Sequence, residues 1–327
     1  MTTTADTTAE HKPLISIGMP VYNAGEKVRR ALDSILSQTE THFELIISDN
    51  CSTDETTKAI TEEYASRDSR IRLTRQPFNQ GIVENFLWVV REAKGEYFMW
   101  AAHDDAWSPN YVAALSQRLN DVPQAILSTP LTQVEQVLPD SSKPSAGSSP
   151  ALRRFTVPAA PNGDKWQTLD LFFRENICVW MYGMFRTDWL KRSVQDLFTY
   201  PVLLGGDRLW LFALILDGPV VGDSSATFYY SDSVTKKTRH KTLRAKVQFL
   251  KLLAYHMTRL TWTRVAPHDR ARCLRKVAAY IYRSQLSRHN PIGTSVRIAK
   301  LTMAAAWFGV ESGIQRLVKP VNSRKVA

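Results

Sequence analysis

Glu44-Leu45-Ile46-Ile47-Ser48-Asp49-Asn50 and Tyr97-Phe98-Met99-Trp100-Ala101-Ala102-His103-Asp104-Asp105 follow one plan: a short apolar run that ends in carboxylates. Runs of this length bounded by polar clusters read as strands buried on both faces. A helix signal follows each acidic cluster: Ser52-Thr53-Asp54-Glu55 after the first, and Ser108-Pro109, an N-cap with proline in the first turn, after the second. In an open α/β sheet the carboxyl ends of parallel strands border the crevice that takes ligands, so acids far apart in sequence can converge there.

Working outward, Leu14 to Pro20 reads as another buried strand, and Asn23 with Glu26 three residues on reads as a capping box. The helical stripe Val28, Ala31, Leu32, Ile35, Leu36 comes next. Ile71 to Arg75 is a strand, Asn79-Gln80-Gly81 a turn, and Val83, Phe86, Leu87, Val90 a further stripe that stops at Gly95. Alternating strands and helices predict a doubly wound α/β domain, with a mixed, mainly parallel, Rossmann-like sheet and helices on both faces. Farther on, Ala125 to Val137 reads as a strand or hairpin arm, 139–161 as a long mobile loop, and Leu169 to Glu175 as a helix. Ile177 to Arg186 reads as an apolar strand, Gly205-Gly206-Asp207 as a turn that opens a helix, and Thr227 to Ser231 as the closing strand. Asp207 thereby falls on a helix N-terminal turn.

With 44% apolar residues in 327, the chain can fill a core. Residues 1–12 are Thr-rich and polar, read as a disordered tail without the pattern of a secretory signal. Apolar stretches stop short of a membrane span, and Cys51, Cys178 and Cys273 lack metal-ligand spacing, so the expected setting is a reducing, cytoplasmic one. The net charge of +11 conceals a division. From Lys236 to Ala327 there are 21 Lys and Arg against Asp269 and Glu311, a net +19, while residues 1–235 carry a net −8. The expected organisation is an α/β domain over 13–235, with halves 13–120 and 121–235, followed by a basic helical region over 236–327.

Acids at strand ends suit a nucleoside diphosphate. Breaking its bond to a sugar places more charge on a group already doubly negative, which calls for Mg²⁺ or Mn²⁺ held by hard carboxylate oxygens. Asp104-Asp105 can hold the metal and a ribose hydroxyl, Asp49 can accept from an imide N–H of the base, and Tyr22 can stack on that base. Trp107, beside the acidic pair, is the candidate for stacking on a sugar.

Pro20-Val21-Tyr22-Asn23-Ala24, Ser48-Asp49-Asn50-Cys51-Ser52-Thr53-Asp54, Asn79-Gln80-Gly81 and His103-Asp104-Asp105-Ala106-Trp107-Ser108-Pro109 together resemble the nucleotide-binding half of family 2 glycosyltransferases. The resemblance implies a GT-A-type fold, inverting transfer from a nucleotide-activated sugar, and a divalent metal, and it makes 13–235 a catalytic domain with 13–120 as its nucleotide-sugar-binding half and 121–235 as its acceptor half. It assigns Asp49 to the base, Asp104 to the ribose region, Asp105 with Asp104 to the metal, and Asp207 to the catalytic base. Pro20, Tyr22, Asn23 and Gly81 lie in the donor-binding motifs. Where the family commonly shows Asp-Ala-Asp-Asp, this chain has Ala102 in the first acidic position and His103 before the pair. The implied donor is a UDP-, GDP- or dTDP-sugar, and the implied acceptor a saccharide or lipid-linked hydroxyl in cell-surface polysaccharide or glycolipid assembly.

The basic region suits an anionic membrane surface, which would place the protein at the inner face of the cell membrane. It lacks the aromatic interleaving and the motifs of nucleic-acid binders, so nucleic acid is not the expected partner; self-association stays open. Two other readings stand beside the transferase: a nucleotidyltransferase on a related fold, which would want a Gly-rich phosphate loop that Pro20 to Gly25 does not supply, and a non-enzymatic nucleic-acid-binding or scaffold protein that uses the basic region.

Overall fold

The computed structural model describes residues 14–137, 153–155, 157, 163–175, 178–199, 206–233 and 243–286. The first half alternates strictly: β1 (Ile15–Val21), α1 (Lys27–Leu36), β2 (Phe43–Asp49), α2 (Glu55–Arg67), β3 (Ile71–Arg75), α3 (Ile82–Arg91) and β4 (Tyr97–Trp100). Every residue of β1, β2 and β4 is buried, as near-continuous apolar runs require of strands covered on both faces. Helix α1 buries Val28, Ala31, Leu32 and Ile35, the stripe expected from its spacing.

The second half adds β5 (Ala106–Trp107), α4 (Tyr111–Asp121), β6 (Leu127–Val137), β7 (Arg153–Phe155), α5 (Lys165–Glu175), a 3₁₀ turn (Val179–Tyr182), β8 (Met184–Arg186), α6 (Thr187–Thr199), α7 (Gly206–Asp217) and β9 (Val220–Ser233). The described strands form one mixed sheet in the order β3-β2-β1-β4-β8-β6-β9-β5, with β7 paired to β6. Strands β1 to β4 are mutually parallel, and β8 reverses direction against both β4 and β6. The long parallel pair β6–β9 shifts register between Pro130 and Leu131, where proline cannot donate to the ladder.

Several expected local features give way. The Asn23–Glu26 capping box does not form: Glu26 precedes α1 in helical conformation with no side-chain cap, and Asn23, at φ 48°, turns to the neighbouring loop. At α2 the cap is Asp54, whose carboxylate accepts from Thr57 N at 2.6 Å. At α4 the N-cap position belongs to Asn110, and Ser108 instead accepts from Thr227 N of β9 at 2.9 Å, because Ala106–Trp107 joins that strand. The apolar segment 177–186 is not one strand: Val179–Tyr182 coils into a 3₁₀ turn that buries Trp180 against Phe172, and only Met184–Arg186 pairs with the sheet. A run of apolar residues specifies burial and not conformation. Within the expected loop 139–161, Arg153–Phe155 is strand β7; the rest of it, apart from Val157, lies outside the described residues, as do residues 1–12.

The chain divides into two compact units, Met1–Lys241 and Thr242–Ala327. In the second, α8 (Leu243–Arg264) and α9 (Pro267–Leu286) pack on each other. Leu253, Met257, Cys273 and Val277 are buried there, and Thr261 Oγ1 lies 3.3 Å from Cys273 Sγ. Among the described residues no helix is long and apolar enough to cross a membrane.

Candidate active site

The parallel register aligns the carboxyl ends of three strands, with Val21 opposite Asp49 and Asp49 opposite Arg75. Asp49 is buried, and both its oxygens are engaged: Oδ2 accepts from Arg75 Nη1 at 2.8 Å and Oδ1 from Ser52 N at 2.9 Å. Arg75 also donates to Ser52 O at 2.8 Å, so one guanidinium neutralises the acid and fastens the loop after β2. Asn50 binds the third loop, donating to Asn79 Oδ1 and Gly81 O and accepting from Gln80 N. Asn23 binds the first to the second, its Oδ1 accepting from Thr53 N at 2.8 Å. Gly81 stands at φ 85° as it opens α3, a conformation that a side chain resists.

Pro20, Tyr22, Asn23, Asp49 and Gly81 are therefore gathered at one sheet end, at the ends of β1 and β2 and in the loops there, which side-chain amides join. Pro20 is buried in β1, whereas Tyr22 is 41% exposed on the rim, open to a planar ligand. Sequence reasoning missed Arg75. Its signal was an arginine closing a strand whose neighbour closes on aspartate, legible only once the two are known to pair in register.

The acidic pair lies in the turn between β4 and β5. Asp105 is 1% exposed, and its Oδ1 accepts from Ser231 N of β9 at 2.7 Å; Asp104 is half-buried. Asp207 stands in the first turn of α7 with Oδ1 accepting from Arg208 N at 2.8 Å, a place where the helix dipole favours negative charge. Leu209 to Leu216 are all buried, which anchors that helix firmly. Gly205 lies outside the described residues.

Tyr182 ties these groups together. Burial first, then the charges of Asp105 and Asp104 and that of Asp207, together with Tyr230, push its phenol far above the ordinary tyrosine range. Its backbone oxygen accepts from Tyr111 Oη at 2.8 Å. Three carboxylates from two distant stretches of sequence thus bear on one phenol. Just before the 3₁₀ turn, burial pushes the Cys178 thiol up to about 12, an effect opposed by Arg208 and reinforced by Asp207. Arg208 Nη2 donates to Cys178 Sγ at 3.6 Å.

Among the described residues no three His, Cys, Asp or Glu side chains gather as a metal cluster. Asp104 and Asp105 remain compatible with a divalent ion, since Mg²⁺ and Mn²⁺ sites commonly use one or two carboxylates with waters and substrate phosphates. Trp107 is not a sugar platform: it is 3% exposed and packs on Phe228 with ring centroids 5.8 Å apart. Beside it runs a groove of about 810 Å³ between α1 and the β5 edge. Its charges are already matched, Arg30 with Glu135 and Arg29 with Glu26 and Glu63.

A profile described as glycosyl transferase family 2 matches residues 16–189. A Bacillus subtilis protein, TuaG, whose name assigns it to teichuronic acid biosynthesis as a glycosyltransferase, is 35% identical over 96 residues, 29% of this chain and 38% of that one. The chondroitin synthase of Escherichia coli is 36% identical over 105 residues, 32% of this chain and 15% of the synthase. The matched stretch thus spans well under half the length of these curated relatives. Among solved structures, S. aureus TarS 1-349 in complex with UDP-GlcNAc gives a TM-score of 0.61 at 17% identity, covering 89% of this chain and 79% of that one. The mannosyltransferase PcManGT from Pyrobaculum calidifontis, in complex with GDP-Man and Mn²⁺, gives 0.51 at 15% identity, covering 94% and 84%. At such identity the likeness establishes the fold alone, a GT-A-type sheet.

Proposed function

The chain belongs to glycosyl transferase family 2, and from that membership we propose that it is an inverting glycosyltransferase that moves a sugar from a nucleotide donor to a hydroxyl acceptor. The observation that carries this reading is that Asp104 and Asp105, in the turn after β4, and Asp207, in the first turn of α7, all bear by their charges on the Tyr182 phenol. In it, Asp207 takes the proton of the acceptor hydroxyl as that oxygen attacks the anomeric carbon. The bond from that carbon to the diphosphate oxygen breaks on the opposite face, and the nucleoside diphosphate leaves with the electron pair. One displacement inverts the centre.

Asp104 and Asp105 would hold Mg²⁺ or Mn²⁺, which offsets the charge of the departing diphosphate. Asp104 also faces the ribose. The ring of Tyr22 stacks on the base, and Pro20, Asn23 and Gly81 shape the walls around it. Asp49 meets the base with the lone pairs that Arg75 and Ser52 leave open, because a carboxylate offers about four acceptor sites. The donor is a UDP-, GDP- or dTDP-sugar; TarS with UDP-GlcNAc and PcManGT with GDP-Man support that class. The acceptor is a saccharide or lipid-linked hydroxyl in cell-surface polysaccharide assembly, in keeping with the name of the B. subtilis relative. Residues 13–235 form the catalytic domain, and 236–327 hold it at the inner face of the cell membrane.

The test is Asp207→Asn. Turnover should fall about 10²–10⁴-fold while donor binding by calorimetry stays within a few-fold. A variant that transfers at the wild-type rate removes Asp207 as the base, and an NMR spectrum showing retained anomeric configuration removes the single displacement.

A further inference from the structure

Helices α8 and α9 carry ten Lys and Arg against one acid, Asp269, and that acid stands 3.6 Å from His268. Their exposed residues fall on one stripe of each helix. On α8 these include Lys251, Leu252, Arg259 and Trp262, which fall within one stripe at 3.6 residues per turn. On α9 they include Arg272, Arg275, Tyr282 and Arg283. Opposite stripes carry the buried Leu253, Met257, Val277 and Ile281.

Each outward stripe therefore mixes cations with large apolar side chains: Leu252 is 44% exposed, Trp262 37% and Tyr282 49%. The Trp262 indole is also held in place, with the Arg270 guanidinium 4.8 Å from its ring centroid while Arg270 Nε donates to Val265 O at 3.0 Å. Exposed cations alone would suit any polyanion. Bulky apolar and amphipathic aromatic groups among them, with no acid on the stripe, match the boundary between charged headgroups and acyl chains.

We infer that the α8–α9 pair is an anionic-lipid docking surface, in which Leu252, Trp262 and Tyr282 enter the headgroup boundary and Lys251, Arg259, Arg272, Arg275 and Arg283 lie against the phosphates. This rests on the membrane-peripheral part of the function proposed above and specifies the faces that act. The occupant is a bilayer surface and not a nucleic acid.

The test is flotation of the full-length chain with vesicles of phosphatidylcholine alone and of phosphatidylcholine mixed with phosphatidylglycerol, without nucleotide or acceptor. Binding should need the anionic lipid and weaken about tenfold or more as salt rises well above physiological strength. The Trp262→Ala/Tyr282→Ala variant, checked for folding by circular dichroism, should lose vesicle binding about tenfold yet hold heparin as the wild type does. Arg272→Glu/Arg275→Glu should lose both. Equal loss of heparin and vesicle binding in the aromatic variant, or preferential binding of RNA by the wild type, makes this a polyanion site and overturns the inference. Unchanged vesicle binding in both variants overturns the assignment of these faces but leaves peripheral attachment standing. A wild-type chain that ignores anionic vesicles sinks both.

Discussion

Asp49 and Asp105 end comparable apolar runs, yet the fold gives them different surroundings. Asp49 faces Arg75 across a parallel register, so its charge is neutralised in place; Asp105 is held by a backbone N–H of β9, with other acids near it. Composition and spacing read both as site acids and left their partners unread, because Arg75 and Ser231 reach them only through strand pairing. Cys178 offers a residue-level check on the neighbourhood of Asp207. Burial raises its pKa to about 12, so at pH 8 about 10⁻⁴ of it is thiolate, against about a quarter for an ordinary cysteine. Iodoacetamide at pH 8 should therefore label Cys178 orders of magnitude more slowly in the native protein than in urea, as peptide mass spectrometry will read. The linkage sign follows. The folded state keeps this proton where the unfolded chain loses it, so the contribution is whole below about pH 9 and declines as pH rises towards 12. Fast native labelling would place Cys178, and with it Asp207, in open solvent.

At the scale of elements, period and punctuation located β1 to β4 and α1 to α3 closely, since fully buried strands and single-faced helices leave plain patterns. Caps were less legible: Asn23 carries the right residue type for an N-cap, but its side chain finds a better partner in the loop after β2. The connection from α3 to β4 shows how tightly the elements abut. A Cβ at Gly95 would stand 2.6 Å from Ser16 N and 2.7 Å from Ile15 C, backbone atoms that cannot yield. Gly95→Ala should cost about 1–3 kcal/mol or more, seen as a lower urea midpoint at unchanged m value. In α8, burial and the nearby Arg259 lower the pKa of His256. Here the unfolded chain binds the proton more readily, so stability is present above about pH 6.5 and declines as pH falls below it. Amide exchange across α8 should be faster at pH 5 than at pH 7 once corrected for intrinsic rates, and His256→Gln should flatten that difference.

For the molecule as a whole, the division into Met1–Lys241 and Thr242–Ala327 falls close to the change in charge at Lys236. If the three loops at the sheet end form the donor site, a nucleotide sugar at about 100 times its Kd should stabilise the protein by about 2.7 kcal/mol. A thermal-shift series of UDP-, GDP- and dTDP-sugars with and without Mn²⁺ measures this; no response to any of them removes the donor site. Read alone, the chain dictates the alternation of strands and helices, the acids at strand ends and the basic helices. These are set by local periodicity and side-chain chemistry, which need no partner to be read. Tertiary structure alone decides that Arg75 neutralises Asp49, that Trp107 is core and not platform, and that the charges of Asp104, Asp105 and Asp207 all bear on the Tyr182 phenol. Each of these depends on pairings between residues distant in sequence, and no local pattern encodes which strands will meet.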